Sequence, residues 1–162
     1  MTRRKGARTI EGRYHLMLSL RTGLLAAMLV LIAAASARAD IWIRSSPGGE
    51  VRKYLMMFEE LRDSGQRVVI DGPCLSACTL VLSTIPRDRI CMTRRAVLGF
   101  HAARLIDGRG REYLAPEATR MLETTYPTPV RAWIARHGGL KRKLITLRGQ
   151  ALAAMYPICS GS

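Results

Sequence analysis

Between residues 40 and 101 the hydrophobic period switches repeatedly between two and 3.6, and this alternation limits the folds open to the chain more than any other feature. Residues 40–44, Asp-Ile-Trp-Ile-Arg, read as a strand, and the turn-forming run Ser45, Ser46, Pro47, Gly48 and Gly49 follows it. Val51, Tyr54, Leu55, Phe58 and Leu61 then recur at helical spacing. Arg52, Lys53, Glu59, Glu60 and Asp63 take the opposite face, and Gly65 ends the segment. Residues 67–71 form a β-branched run suited to a buried strand. Residues 76–85 are apolar almost all round, as a helix in the middle of a domain must be, and Pro86 terminates them. Two short strands follow at 89–92 and 96–100. Strand, helix, strand, helix, strand at this spacing predicts an α/β fold with a short parallel sheet and crossover helices.

Beyond His101 the chain reads as helical. A charged, turn-rich loop at 107–111 precedes a helix opened by Pro116 and running to Thr124. Tyr126, Pro127, Thr128 and Pro129 interrupt it, and a second helix covers 130–137 with Val130, Trp133 and Ile134 on one face. Gly138 and Gly139 supply its C-cap. A last short helix spans 150–156. There is no internal repeat.

The first 39 residues fall outside this pattern. Residues 24–35 are apolar or small and follow Arg3, Arg4, Lys5, Arg8, Arg13 and Arg21. Twelve residues of helix rise about 18 Å, short of the roughly 30 Å of bilayer hydrocarbon. Basic region, short apolar core and the small-residue stop Ala37, Arg38, Ala39 together predict a cleaved signal peptide at 1–39. Met17 is an alternative start that yields the same product. The remaining residues, 40–162, make a single domain, and the chain is expected in the periplasm or secreted, with the membrane met only through the signal segment. An uncleaved anchor is the competing expectation.

The whole chain carries a net charge of +14, and residues 40–162 keep 19 Lys and Arg against 11 Asp and Glu. These charges are scattered single arginines without interleaved aromatics, which argues against nucleic-acid binding. All four cysteines, Cys74, Cys78, Cys91 and Cys159, lie in the exported part. An even count in an oxidising compartment favours disulfides, and the spacings lack the pattern of a zinc site. Three pairings are open. The expected one joins Cys91 to Cys74 or Cys78 and braces the turn between those two. A cysteine nucleophile at Cys74 is the alternative that oxidation would remove.

That turn holds the candidate chemistry. A serine hydroxyl is a weak nucleophile until a base takes its proton, and the developing oxyanion needs N–H donors aimed at it. Ser76 falls at the first turn of a helix, where the N–H of Ala77 is free to face incoming negative charge. Gly49, in a loop of two glycines, can offer a second N–H with no side chain in the way. His101, at the end of a strand, is placed to act as general base. Each piece also has a plain structural role: serine as helix cap, Pro-Gly-Gly as turn, histidine as strand end.

The order of these pieces resembles a known family. Ser45 to Gly49, then Gly72, Pro73, Cys74, Leu75, Ser76 and Ala77, then Arg89 to Met92, then Val97, Leu98, Gly99, Phe100 and His101, is similar to the Clp-type serine peptidase subunit and its relatives in the ClpP/crotonase superfamily. The resemblance covers residues 41–101 well and the helical tail weakly. It implies a ClpP/crotonase-like fold, shortened on its N-terminal side, with Ser76 as nucleophile, His101 as base, and the N–H groups of Gly49 and Ala77 as oxyanion donors. It implies a peptide or other acyl substrate, is compatible with a homo-oligomer, and calls for no cofactor or metal.

The family's third catalytic group is an Asp near the C-terminus. The stretch that best resembles its surroundings, Arg142, Lys143, Leu144, Ile145 and Thr146, contains no acid. Asp107 is the nearest substitute in sequence. Two functions therefore stand as expectations: an exported serine hydrolase of the peptidase type, and a non-catalytic relative with a binding or scaffolding role. A Ser/Lys dyad is a minor variant, because no motif brings Lys53, Lys141 or Lys143 to Ser76.

Overall fold

The computed structural model describes residues 39–159. The predicted signal segment lies outside the described residues. Within them the chain is mixed α/β, with small sheets and five α-helices. In chain order the elements are β1 (Ile41–Ile43), α1 (Val51–Ser64), β2 (Val68–Ile70), β3 (Pro73–Leu75), a 3-10 turn (Ser76–Leu80) leading into α2 (Val81–Thr84), and β4 (Ile90–Met92). Then come β5 (Val97–Phe100), β6 (Arg104–Ile106), β7 (Glu112–Leu114), α3 (Pro116–Thr125), α4 (Thr128–Arg136), β8 (Ile145–Arg148) and α5 (Gly149–Ala153).

The parallel strands form two short sheets rather than the one predicted. β1, β2 and β4 pair in that order, with Ile41, Val68 and Ile90 in register. β3 pairs in parallel with β5, and β8 adds antiparallel to the far side of β5. Backbone bonds carry the first sheet into the second. Ser46 N donates to Pro73 O at 2.7 Å, Asp71 N to Ile43 O at 2.9 Å, and Val97 N to Gly72 O at 3.2 Å. Each of the three strands thus bends and continues into the neighbouring sheet. The bend at Gly72 brings backbone against backbone: a Cβ there would fall 2.0 Å from Arg44 O, so only glycine fits.

One face of the first sheet makes the core. Val68, Ile70, Ile90 and Met92 are buried together with Phe58 of α1, Leu80 and Val81 of the central turn, and Val130, Trp133 and Ile134 of α4. The helical spacing read from Val51, Tyr54, Leu55, Phe58 and Leu61 is the face that α1 packs on this core. Phe100 lies edge-on to Tyr126, with ring centroids 5.3 Å apart. Trp133 stacks on His137 at 4.0 Å, and His137 Nδ1 donates to Trp133 O, which gives that histidine a packing role.

The cysteines pair differently from expectation. Cys74 bonds Cys78, and Cys91 bonds Cys159. Side chains alternate across a strand, so Ile90 and Met92 face the core while Cys91 faces away. On that outer face Cys91 packs with Val69 and Cys159, on the far side of the sheet from Cys74 and Cys78. A bridge from Cys91 to either of them would have to pass through the sheet.

The segment at 104–114 is a β-hairpin of β6 and β7. Both strands are exposed along their whole length, so no alternation of buried and exposed positions marked them in the sequence. Among the described residues no helix is long and apolar enough to cross a membrane.

Candidate active site

Ser76 sits where β3 passes into the 3-10 turn, and its backbone is left-handed, with φ of 54°. Among the described residues it is the only non-glycine with positive φ. A residue with a Cβ avoids this region unless its surroundings enforce it, and such residues concentrate at functional sites. A sharp strand-to-helix turn of this kind also lifts a serine hydroxyl clear of the sheet edge. Ser76 is half-buried, while Ala77, Cys78, Thr79 and Leu80 behind it are buried.

Three contacts enforce the turn. The Cys74–Cys78 disulfide closes over Leu75, Ser76 and Ala77. The Thr79 hydroxyl donates to Ser76 O at 2.7 Å. That bond uses the hydroxyl's one proton, so the 2.7 Å contact between Thr79 Oγ1 and Tyr126 Oη is donated by the tyrosine. Burial pushes the Tyr126 phenol up to about 12.

The third contact is Gly48. It holds φ of 84°, and a Cβ on it would fall 2.5 Å from Leu75 O and 2.6 Å from Ser76 Cβ. The loop of two glycines therefore lies directly on the serine turn, held by Ser46, whose backbone bonds both Pro73 O and Leu75 N and whose hydroxyl meets Tyr54 Oη at 2.7 Å. Gly49 is exposed, and a Cβ there would only touch Tyr54 at 3.5 Å. Neither Gly49 N–H nor Ala77 N–H donates to a backbone carbonyl among the described residues. Both are left for another acceptor.

Parallel pairing of Leu75 with Gly99 brings the ends of β3 and β5 side by side, with neighbouring strands about 4.8 Å apart. Ser76 leaves one strand end and His101 the other. In open α/β sheets ligands bind outside this C-terminal edge. No hydrogen bond joins the two side chains among the described residues; His101 Nδ1 lies 2.7 Å from Ala102 O. A carbonyl can only accept, so Nδ1 donates, and in the neutral ring the lone pair falls on Nε2, the tautomer a general base needs. Catalytic hydrogen bonds are often long before substrate binds.

The structure uses Asp107 elsewhere. Its carboxylate accepts from Arg109 N and Arg111 N at 2.9 Å each, from Arg111 Nε at 2.9 Å and from Tyr113 Oη at 3.3 Å, closing the β6–β7 hairpin. The backbone bond from Arg111 leads in holding this carboxyl below its ordinary range. The 142–146 stretch does run beside His101, since Phe100 pairs with Ile145 and Ala102 N donates to Lys141 O at 2.8 Å, but it brings no acid there.

Sequence reasoning placed Gly48 only in the glycine loop, without its contact on Ser76, and passed over Thr79, Tyr126 and the buried Asp71. Asp71 directly follows β2 and accepts from Thr93 Oγ1 at 2.7 Å and Arg95 Nε at 3.1 Å, with Arg95 Nη2 on its second oxygen. The Arg95 bond comes first among the causes that hold its carboxyl below the ordinary range, with Thr93 next. A groove of about 360 Å³ lined by Trp42, Asp71, Thr93, Arg94 and Arg95 does not include Ser76 or His101. Scans of protein-family models and of curated proteins find no match to this chain.

Proposed function

We propose that the chain is an exported serine hydrolase of the peptidase type on a ClpP/crotonase-like fold. One observation carries the reading: Ser76, a residue with a Cβ, is held left-handed at a strand-to-helix turn. Ser76 Oγ attacks an acyl carbonyl and its proton passes to His101 Nε2. The N–H groups of Gly49 and Ala77 receive the oxyanion. His101 then gives the proton to the leaving group, and water activated by the same nitrogen releases the acyl group from Ser76. The Ala102 carbonyl fixes the imidazole tautomer but lacks the full negative charge with which an Asp stabilises imidazolium, so turnover is slower than for a complete triad.

Two disulfides among the described residues, with no free cysteine there, support export to an oxidising compartment. N-terminal sequencing of the secreted product starts at Asp40 on this reading; a product that keeps residues 1–39 contradicts it.

An activated p-nitrophenyl ester tests the chemistry. The oxidised full chain releases one equivalent of p-nitrophenolate per molecule in a burst, and Ser76→Ala abolishes it. Equal, burst-free release from both would contradict the reading. A second reading, a non-catalytic binding role, is favoured by the absence, among the described residues, of a carboxylate bonded to the His101 ring. It predicts no acylation of an intact fold.

A further inference from the structure

We infer that the Cys74–Cys78 disulfide is a positioning device for Ser76, and that reduction of this one bridge by a dithiol silences the serine while the domain stays folded. The inference rests on the reading of Ser76 as the nucleophile.

The bridge leaves from β3 and returns to the 3-10 turn, enclosing the one described non-glycine residue with left-handed backbone. A 3-10 turn has poorer hydrogen-bond geometry than an α-helix and holds a strained residue less firmly. Without the covalent tie, only the Thr79 bond and the Gly48 contact oppose relaxation of Ser76 toward a right-handed or extended backbone, and on this inference they do not suffice. That rotation redirects both Ser76 Oγ and the N–H of Ala77, so nucleophile and oxyanion donor are lost together.

The two bridges differ in what they hold. Stabilisation by a disulfide grows with the length of chain it closes. Cys91–Cys159 spans a separation of 68 residues and ties the C-terminal segment to β4, whereas Cys74–Cys78 spans only 4. The short bridge therefore adds less to global stability, and its effect is local. The rest of the turn survives its loss, because Thr79 still bonds Ser76 O and Tyr126, and Leu80, Val81 and Leu82 remain in the core. Both sulfurs are fully buried, so reduction waits for a local opening of the turn.

The redox step is a thiol–disulfide exchange. A thiolate of the dithiol attacks one sulfur and displaces the other as thiolate. The second thiol of the reductant then closes on the mixed disulfide. Two electrons and two protons pass to the protein, leaving Cys74 and Cys78 as thiols and the reductant as its own disulfide.

The test compares the full-length wild type with Cys74→Ala/Cys78→Ala and Cys91→Ala/Cys159→Ala variants. Three readouts are taken: the rate of fluorophosphonate labelling, circular dichroism, and the Ser76 backbone conformation from its 13Cα shift and HN–Hα coupling. The first variant stays folded, loses the left-handed signature at Ser76 and labels about 10²-fold more slowly. The second melts earlier but labels within about twofold of wild type wherever it is folded. In that second background dithiothreitol slows labelling in step with the appearance of two thiols, and reoxidation restores it. This titration also decides the matter if the first variant does not fold. Unchanged labelling with an unchanged Ser76 signature, in the folded first variant or after full reduction, overturns the inference. If even the oxidised wild type fails to label, the hydrolase reading falls, and the Ser76 signature alone decides: its persistence without the bridge overturns positioning, and its loss supports it.

Discussion

His101 donates its Nδ1 proton to the carbonyl oxygen of the next residue, Ala102, at 2.7 Å. Ala102 is itself buried and fixed by its N–H to Lys141 O, so the ring is aimed by backbone. A carboxylate in this place would do two things, setting the tautomer and stabilising the imidazolium; the carbonyl does only the first. His101→Ala should therefore slow acylation of Ser76 by about 10² to 10⁴, the range general-base catalysis contributes. Stopped-flow measurement of the ester burst checks it, and a rate within a few-fold of wild type would remove His101 from the mechanism.

Gly48 and Gly49 are neighbours with opposite tolerances. Gly48→Ala combines left-handed backbone with a Cβ pressed on Leu75 O and Ser76 Cβ, and should lower stability by about 1–3 kcal/mol or displace the serine turn. Gly49→Ala meets only Tyr54 at van der Waals distance and should stay within about 0.5 kcal/mol. Denaturant melts of the two variants give the comparison, and equal effects would contradict the close approach of the loop to Ser76.

Tyr126 donates to Thr79, and Tyr126→Phe leaves that hydroxyl one partner short in the core at a cost of about 1 kcal/mol. The pH dependence has a definite sign. The folded phenol titrates at about 12, above the ordinary value of about 10. Its contribution is complete below pH 10 and is lost as pH rises toward 12. Tyr156, also raised to about 12 by burial, adds a second such slope. Unfolding measured from pH 9 to 12 should lose one of the two slopes in Tyr126→Phe.

At the acid end Asp71 behaves in the opposite sense. Its carboxyl is held below the ordinary value by Arg95 and Thr93, so its contribution is present above about pH 4 and falls away as pH drops further. Asp71→Asn should lower the melting temperature at neutral pH and flatten the acid limb, leaving the slope due to Asp107. A limb as steep as wild type would mean that the Arg95 pair is not formed in solution.

Elements with at least one face in the core were legible before folding was considered. α1 and β2, β4 and β5 advertise themselves through Phe58, Val68, Ile90 and Leu98, whose spacing is dictated by the core they share. β3 was not, since Gly72-Pro73-Cys74-Leu75 reads as a turn, and neither was the β6–β7 hairpin, which buries neither face. The pairing of Cys91 could have been found from period two, because Ile90 and Met92 claim the core face and leave Cys91 the other. The left-handed backbone of Ser76 had no local signal, serine being a residue that avoids it; tertiary contacts from Gly48, Thr79 and Cys78 impose it. Asp107 shows the limit of proximity in sequence. It lies six residues from His101, yet the hairpin turn captures its carboxylate first.

The most direct measurement is site-mapped acylation. Oxidised full-length protein is treated with a fluorophosphonate, digested without reduction, and the adduct located by mass spectrometry. A single phosphonyl group on Ser76, absent from Ser76→Ala and slowed in His101→Ala, is the expected result. An intact, oxidised fold that carries no adduct, or carries it on another residue, would contradict the assignment of Ser76 as nucleophile.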